Sequence, residues 1–132
     1  MQIFSAIDLE HYALAGMALS STIEYILALD VGYDEHRIKK LIEDFKNSVG
    51  DISLDEEGLL PAFGLNGFLT NFSLGTKGFD KEKEPKFVNR HWVAHGRMHR
   101  DLTKVDVYQM LCAIYALDVV IETEQRTKGN EI

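Results

Sequence analysis

A chain of 132 residues, 45% hydrophobic and 27% charged, has the size and composition of one globular domain. Two Pro, ten Gly and one Cys exclude a collagen-like or disulfide-stapled fold, and regularly spaced apolar residues exclude disorder of the whole chain. A net charge of −7 argues against bulk nucleic acid or an anionic membrane surface as the partner.

The charge is unevenly spread. The window 77–104 carries +4 and holds His91, His95 and His99, while the remainder carries −11. One segment is therefore a cationic island on an acidic protein. Such an island is either a solvated loop or a site for an anion such as phosphate. The opening MQIFSAIDLE lacks the basic region and cleavage site of a signal peptide. The longest apolar run read from the sequence, Met110 to Ile121, is broken by Asp118 and is too short to span a bilayer. A lone Cys suits a reducing compartment. A cytoplasmic protein with no membrane partner is expected.

The predicted elements are helical throughout. From about Ile7 to Leu29, one stripe runs through Leu9, Tyr12, Gly16, Leu19, Ile23 and Ile26, and an adjacent one includes Leu14, Met17 and Tyr25. Ala13, Ala15, Gly16 and Ala18 form a small-residue patch suited to close approach of another helix. A second helix is expected from about Asp34, its N-cap, to Asn47, burying Ile38, Leu41, Ile42 and Phe45. Residues 51–57 read as a turn. A short helix follows over about 61–72, and 73–84 read as a loop. Pro85 suits the first position of a further helix ending at His95, with Gly96 as its stop. Thr103 and Asp106 form a capping box with Asp in place of Glu. The last helix, about Lys104 to Glu124, is apolar on nearly every side. It is either the central helix of a monomer or part of a homodimer seam. The fold class expected is an all-α bundle of four or five helices in a single domain over 1–132.

The most informative stretch is Asn89-Arg90-His91-Trp92-Val93-Ala94-His95-Gly96-Arg97. It combines groups suited to metal-free RNA cleavage. That reaction needs a proton taken from the attacking 2′-OH, a proton given to the leaving 5′-oxygen, and positive charge on the phosphorane. His exchanges protons near neutrality, because its unperturbed pKa is ~6.5. Arg presents a permanently charged fork of donors to phosphoryl oxygens. Arg90 would thus clamp the phosphate, His95 act as acid or base, and His91 assist. Asn89 suits either substrate contact or helix packing. Arg97, Arg100 and Lys104 suit either an RNA backbone or plain exposure. Positions five apart on a helix are separated by about 140°. Arg90 and His95 therefore do not share a face, and a two-fold dimer would reunite them across chains.

Asn-Arg-His-x-x-x-His-Gly, a short connection and a long apolar helix resemble the HEPN superfamily over about residues 85–124. Its hallmark is an Arg followed after four to six residues by a His. The resemblance implies a four-helix bundle that dimerises with two motifs facing one cleft. It implies a metal-independent endoribonuclease, of the kind found as toxins of toxin–antitoxin or phage-defence systems. Arg90, His95 and His91 would be catalytic, and Asn89, Arg97, Arg100 and Lys104 would bind substrate. RNA, a second copy and an antitoxin protein would be the partners, with no cofactor, no metal and no DNA. Other members are inactive modules that bind a nucleotide, RNA or protein, which is the alternative function.

Other readings compete for the same residues. His91 and His95 have the His-x-x-x-His spacing that can bind zinc, but Gly96 takes His99 off the same helix to the surface, no Cys lies nearby and no third ligand is clear. Arg90 suits a structural ion pair with Asp118 or Glu43. Trp92 and Val93 are expected in the core, Cys112 as an inert packed thiol, and Asp118 on an exposed strip.

Overall fold

The structure is a computed structural model and describes residues 2–31, 43, 47, 56–74, 78, 83–94 and 100–130. Five helices are present among them: α1 (Gln2–Asp8), α2 (Tyr12–Val31), α3 (Glu56–Phe72), α4 (Arg90–Ala94) and α5 (Lys104–Asn130). The fold is an all-α bundle, as the periodicity predicts. The helix expected over 34–47 lies outside the described residues, apart from Glu43 and Asn47, which are helical and exposed.

The first predicted helix is in fact two. α1 ends in a reversal in which the His11 amide donates to the Ala6 carbonyl and the Glu10 amide to that of Ile7. This double pattern is a Schellman motif, which places Glu10 where glycine is usual. Glu10 accordingly has φ 59°. Periodicity did not show this break, because Leu9 and Tyr12 continue the apolar spacing across it. α1 then folds back against α2.

α5 packs against both α2 and α3 and forms the spine of the bundle. Leu19, Ile23 and Leu27 of α2, Leu69 and Phe72 of α3, and Val107, Met110, Leu117 and Val120 of α5 are almost wholly buried. Each such side chain contributes about 1.5–3 kcal/mol through the water it leaves. Gly16 lets α2 approach the start of α5 closely. A Cβ there would lie 2.5 Å from Leu102 Cδ1 and 3.3 Å from Met110 Cε. Of the small-residue patch, Ala15 and Gly16 are buried and Ala13 is exposed.

Several expectations are corrected. The stripe of Leu14, Met17 and Tyr25 faces outward, as does Leu9. α3 begins at Glu56 rather than at Pro61. Its two leading glutamates sit in the first turn, where the helix dipole favours negative charge. α5 runs six residues beyond Glu124 to Asn130. It is not buried all round, since Val105, Tyr108, Cys112 and Tyr115 are exposed. Cys112 is thus not a packed thiol. Met110–Ile121 is not the longest apolar stretch: among the described residues, one helix is long and apolar enough by length and composition to cross a membrane, the Tyr12–Leu29 part of α2. Its apolar residues Leu19, Ile23 and Leu27 are spent on the core.

The capping box at the start of α5 is complete. The Thr103 amide and hydroxyl donate to Asp106 Oδ2 at 2.8 and 3.0 Å, and the Asp106 amide donates to Thr103 Oγ1 at 3.3 Å. Arg100 closes a fork on the same carboxylate, with Nη1 to Oδ2 at 2.8 Å and Nη2 to Oδ1 at 3.0 Å. Burial works against the charge on Asp106, but the Arg100 and Thr103 hydrogen bonds and the Arg100 charge outweigh it. The carboxyl is held below its ordinary range.

Replacing Glu10 with Gly is expected to stabilise the fold by about 0.5–1 kcal/mol, measured by urea unfolding, because glycine adopts this φ without steric cost. Asp106→Ala is expected to cost about 2 kcal/mol at pH 7, from the lost cap and broken ion pair. A depressed native pKa stabilises the fold above the unfolded value of about 3.9 and is lost as pH falls through the native value. The deficit of Asp106→Ala relative to wild type should therefore shrink below about pH 4.

Candidate functional site

The described part of the motif begins with a buried amide. Asn89 is 2% exposed and immediately precedes α4. Its Oδ1 accepts from the amides of His91 (3.0 Å) and Trp92 (3.4 Å). This is an N-cap, which satisfies helix-start donors that would otherwise be orphaned. Its Nδ2 donates to the carbonyls of Asn71 (3.0 Å) and Leu74 (2.9 Å) at the end of α3. One side chain thus closes the start of α4 and the end of α3. Both amide hydrogens and both acceptor positions are used. Of the two readings of Asn89, this geometry supports packing.

Asn89 also corrects the predicted helix start. The segment 85–89 is irregular, and helix begins only at Arg90. Pro85 is not a helix residue, and its carbonyl instead accepts from Arg100 Nε at 3.4 Å.

Trp92 and Val93 are buried, as expected of core residues. They seat α4 against the bundle and leave Arg90 and His91 half-buried on its other sides. Arg90 Nε donates to Glu24 Oε1 of α2 at 2.5 Å. The ion pair anticipated for Arg90 exists, but its partner is Glu24. Glu43 and Asp118 are both exposed. The pair is only partly buried, with side-chain exposures of 25% for Arg90 and 31% for Glu24. Among the described residues, no acceptor meets the two terminal nitrogens of Arg90. That edge of the guanidinium retains the fork geometry suited to an oxyanion.

Sequence reasoning missed Glu24. The available signal was its isolation, because Glu24 is the one charged residue from Tyr12 to Leu29.

The basic residues separate on inspection. Arg100 gives both terminal nitrogens to Asp106, and its amide donates to Glu84 Oε1 at 2.9 Å. The Asp106 hydrogen bond, opposed by burial and aided by the charges of Asp106 and Glu84, raises the Arg100 pKa above its already high value. Arg100 is thereby a clamp between the segment before α4 and the start of α5. Lys104 opens α5, is exposed, and holds its ammonium 5.5 Å from the centre of the Tyr108 ring. His95, Arg97 and His99 lie outside the described residues. Two grooves, of about 720 and 670 Å³, flank α5, and neither includes Arg90 or His91 among its lining residues.

No protein-family model, curated protein or solved structure matches this chain.

Asn89→Ala is expected to lower stability by about 2–3 kcal/mol, read from urea or thermal melts, because it removes a cap and the two hydrogen bonds to the Asn71 and Leu74 carbonyls. Asn89→Asp keeps the acceptor that caps α4 but loses both donors to α3. It should recover only part of that loss.

Proposed function

We propose that this chain is a metal-independent endoribonuclease of the HEPN type, with the role of a toxin in a toxin–antitoxin or phage-defence pair. Arg90 binds the phosphoryl oxygens of the scissile phosphodiester. His95 moves the protons as the 2′-oxygen attacks phosphorus and the bond to the 5′-oxygen breaks. His91, one residue from Arg90, assists. The products are a 2′,3′-cyclic phosphate and a 5′-hydroxyl. A second copy brings Arg90 of one chain toward His95 of the other.

The observation that carries this reading is the mounting of Arg90. A short helix, fixed by the saturated amide of Asn89, holds the guanidinium half-exposed. Glu24 grips it through Nε alone. An arginine held on one edge loses little freedom when its other edge takes a phosphate. Glu24 is accordingly a positioning residue.

A second reading is a silent HEPN-like module that binds RNA, a nucleotide or a protein. It is favoured by how much of the basic segment is already committed. Arg100 is neutralised by Asp106, and Arg90 is partly neutralised by Glu24.

The test is cleavage of a mixed single-stranded RNA pool in the presence of EDTA. Wild type is expected to leave 2′,3′-cyclic ends. Arg90→Ala and His95→Ala are expected to lose at least about 100-fold in rate while keeping helical circular dichroism. RNA bound by folded wild type without turnover would support the binding module. Cleavage by both variants at the wild-type rate would overturn the assignment.

A further inference from the structure

The outward side of α5 changes character along its length. Val105, Tyr108, Cys112 and Tyr115 follow one another on it at three-four-three spacing. All four are exposed, with Val105 at 62%, Tyr108 at 46% and Tyr115 at 68%. From Asp118 onward the same side carries Glu122, Gln125 and Arg126. The second half is an ordinary solvated face. The first half has the spacing of a coiled-coil seam, which brings apolar side chains to one line along a helix.

We infer that this stripe is the seam of an antiparallel, two-fold contact between two copies of the chain. The flanking charges select that occupant and that direction. Lys104 and Asp118 lie two heptads apart on the same flank of the stripe, and both are exposed. Antiparallel pairing centred at the level of Met110 sets Val105 against the second copy's Tyr115, and Tyr108 against its Cys112. In that register each Lys104 faces the other copy's Asp118, so one symmetric contact makes two ion pairs. Gln109, on the opposite flank, meets its own counterpart, and two amides can exchange hydrogen bonds. Parallel pairing forms none of these pairs. It sets Lys104 beside Gln109 and Cys112 against Cys112. The ammonium of Lys104, resting over Tyr108, is already beside the seam.

A stable contact buries about 800 Å² per partner, more than one stripe supplies. The two grooves extend the apolar surface on either side, one against α3 and one against α2, and Tyr115 lines both. Along the α3 wall, Gly64 and Gly67 have no atom within 4 Å of where a Cβ would sit, so an incoming tyrosine meets open space. Tyrosine is among the residues enriched where such contacts draw most of their energy.

This contact stands on the α5 face alone and does not rest on the nuclease reading. It is tested without RNA, so its failure and that of the nuclease reading are distinguishable. Full-length protein at tens of micromolar is expected to sediment as a dimer. Lys104→Asp or Asp118→Lys is expected to raise the dimer dissociation constant about tenfold. The combined charge swap should return it to within about threefold of wild type. Tyr115→Glu should be monomeric with unchanged helical circular dichroism. On mild oxidation, wild type mixed with Tyr108→Cys/Cys112→Ser should form a disulfide-linked dimer, while neither protein does so alone. A monomeric wild type, single reversals without effect, or a Cys112–Cys112 crosslink in wild type would overturn the inference.

Discussion

A buried helix end must find partners for its backbone groups, and Asn89 meets that requirement for two helices at once. The carbonyls of Asn71, in the last turn of α3, and of Leu74, just beyond it, converge with the first amides of α4 on one side chain that offers two donors and two acceptor positions. A helix of only five residues has no independent stability. Its position is therefore set by this cap and by the burial of Trp92 and Val93. The placement of Arg90 beside Glu24 follows from that, because Arg90 is the first residue after the cap. The order of dependence runs from a polar side chain, through backbone satisfaction, to the position of a charged group.

The same logic governs the other helix ends. At the start of α5, Thr103 and Asp106 satisfy each other's amides, and Arg100 is added to the carboxylate they share. The cation then reaches back to Glu84 and Pro85 and ties the irregular segment before α4 to the bundle. At the end of α1, Glu10 takes a left-handed conformation so that two amides can return to the Ala6 and Ile7 carbonyls. In the first case the charge serves the fold. In the second the fold overrides the residue's own preference.

Legibility in the sequence followed the range of the interaction. The capping box was readable because both partners lie within one turn of each other. The spine helix was readable because its apolar content is dense and long. The break at residues 9–11 was hidden, since Leu9 and Tyr12 preserve the apolar spacing and Glu10 carries no turn signature. Pro85 misled for a related reason. Proline suits a helix start, yet a buried asparagine four residues later offered more hydrogen bonds. The candidate site was legible in composition but not in pairing. Arg90, Asn89 and Arg100 were all singled out as chemically notable. Their partners, Glu24, the α3 carbonyls and Asp106, lie at separations from 6 to 66 residues, and only Thr103 had been matched with Asp106. Pairings of that kind are decided by packing, which one-dimensional periodicity does not carry.

The two faces of α5 pose the remaining constraint. Its inner face is committed to α2 and α3, with Val107, Met110, Leu117 and Val120 fully buried. An apolar residue on a solvated face gains nothing from folding, so a scatter of them is neutral but an aligned set is not. On α5 the aligned set stops where Asp118 begins, and the charge that could answer Asp118 stands at Lys104, at the other end of the stripe. Within a single helix these two groups are too far apart to meet, at about 21 Å along the axis. They become partners only when the helix is set against a reversed copy of itself. The separation that makes the pair useless within one chain is what gives it direction and register between two.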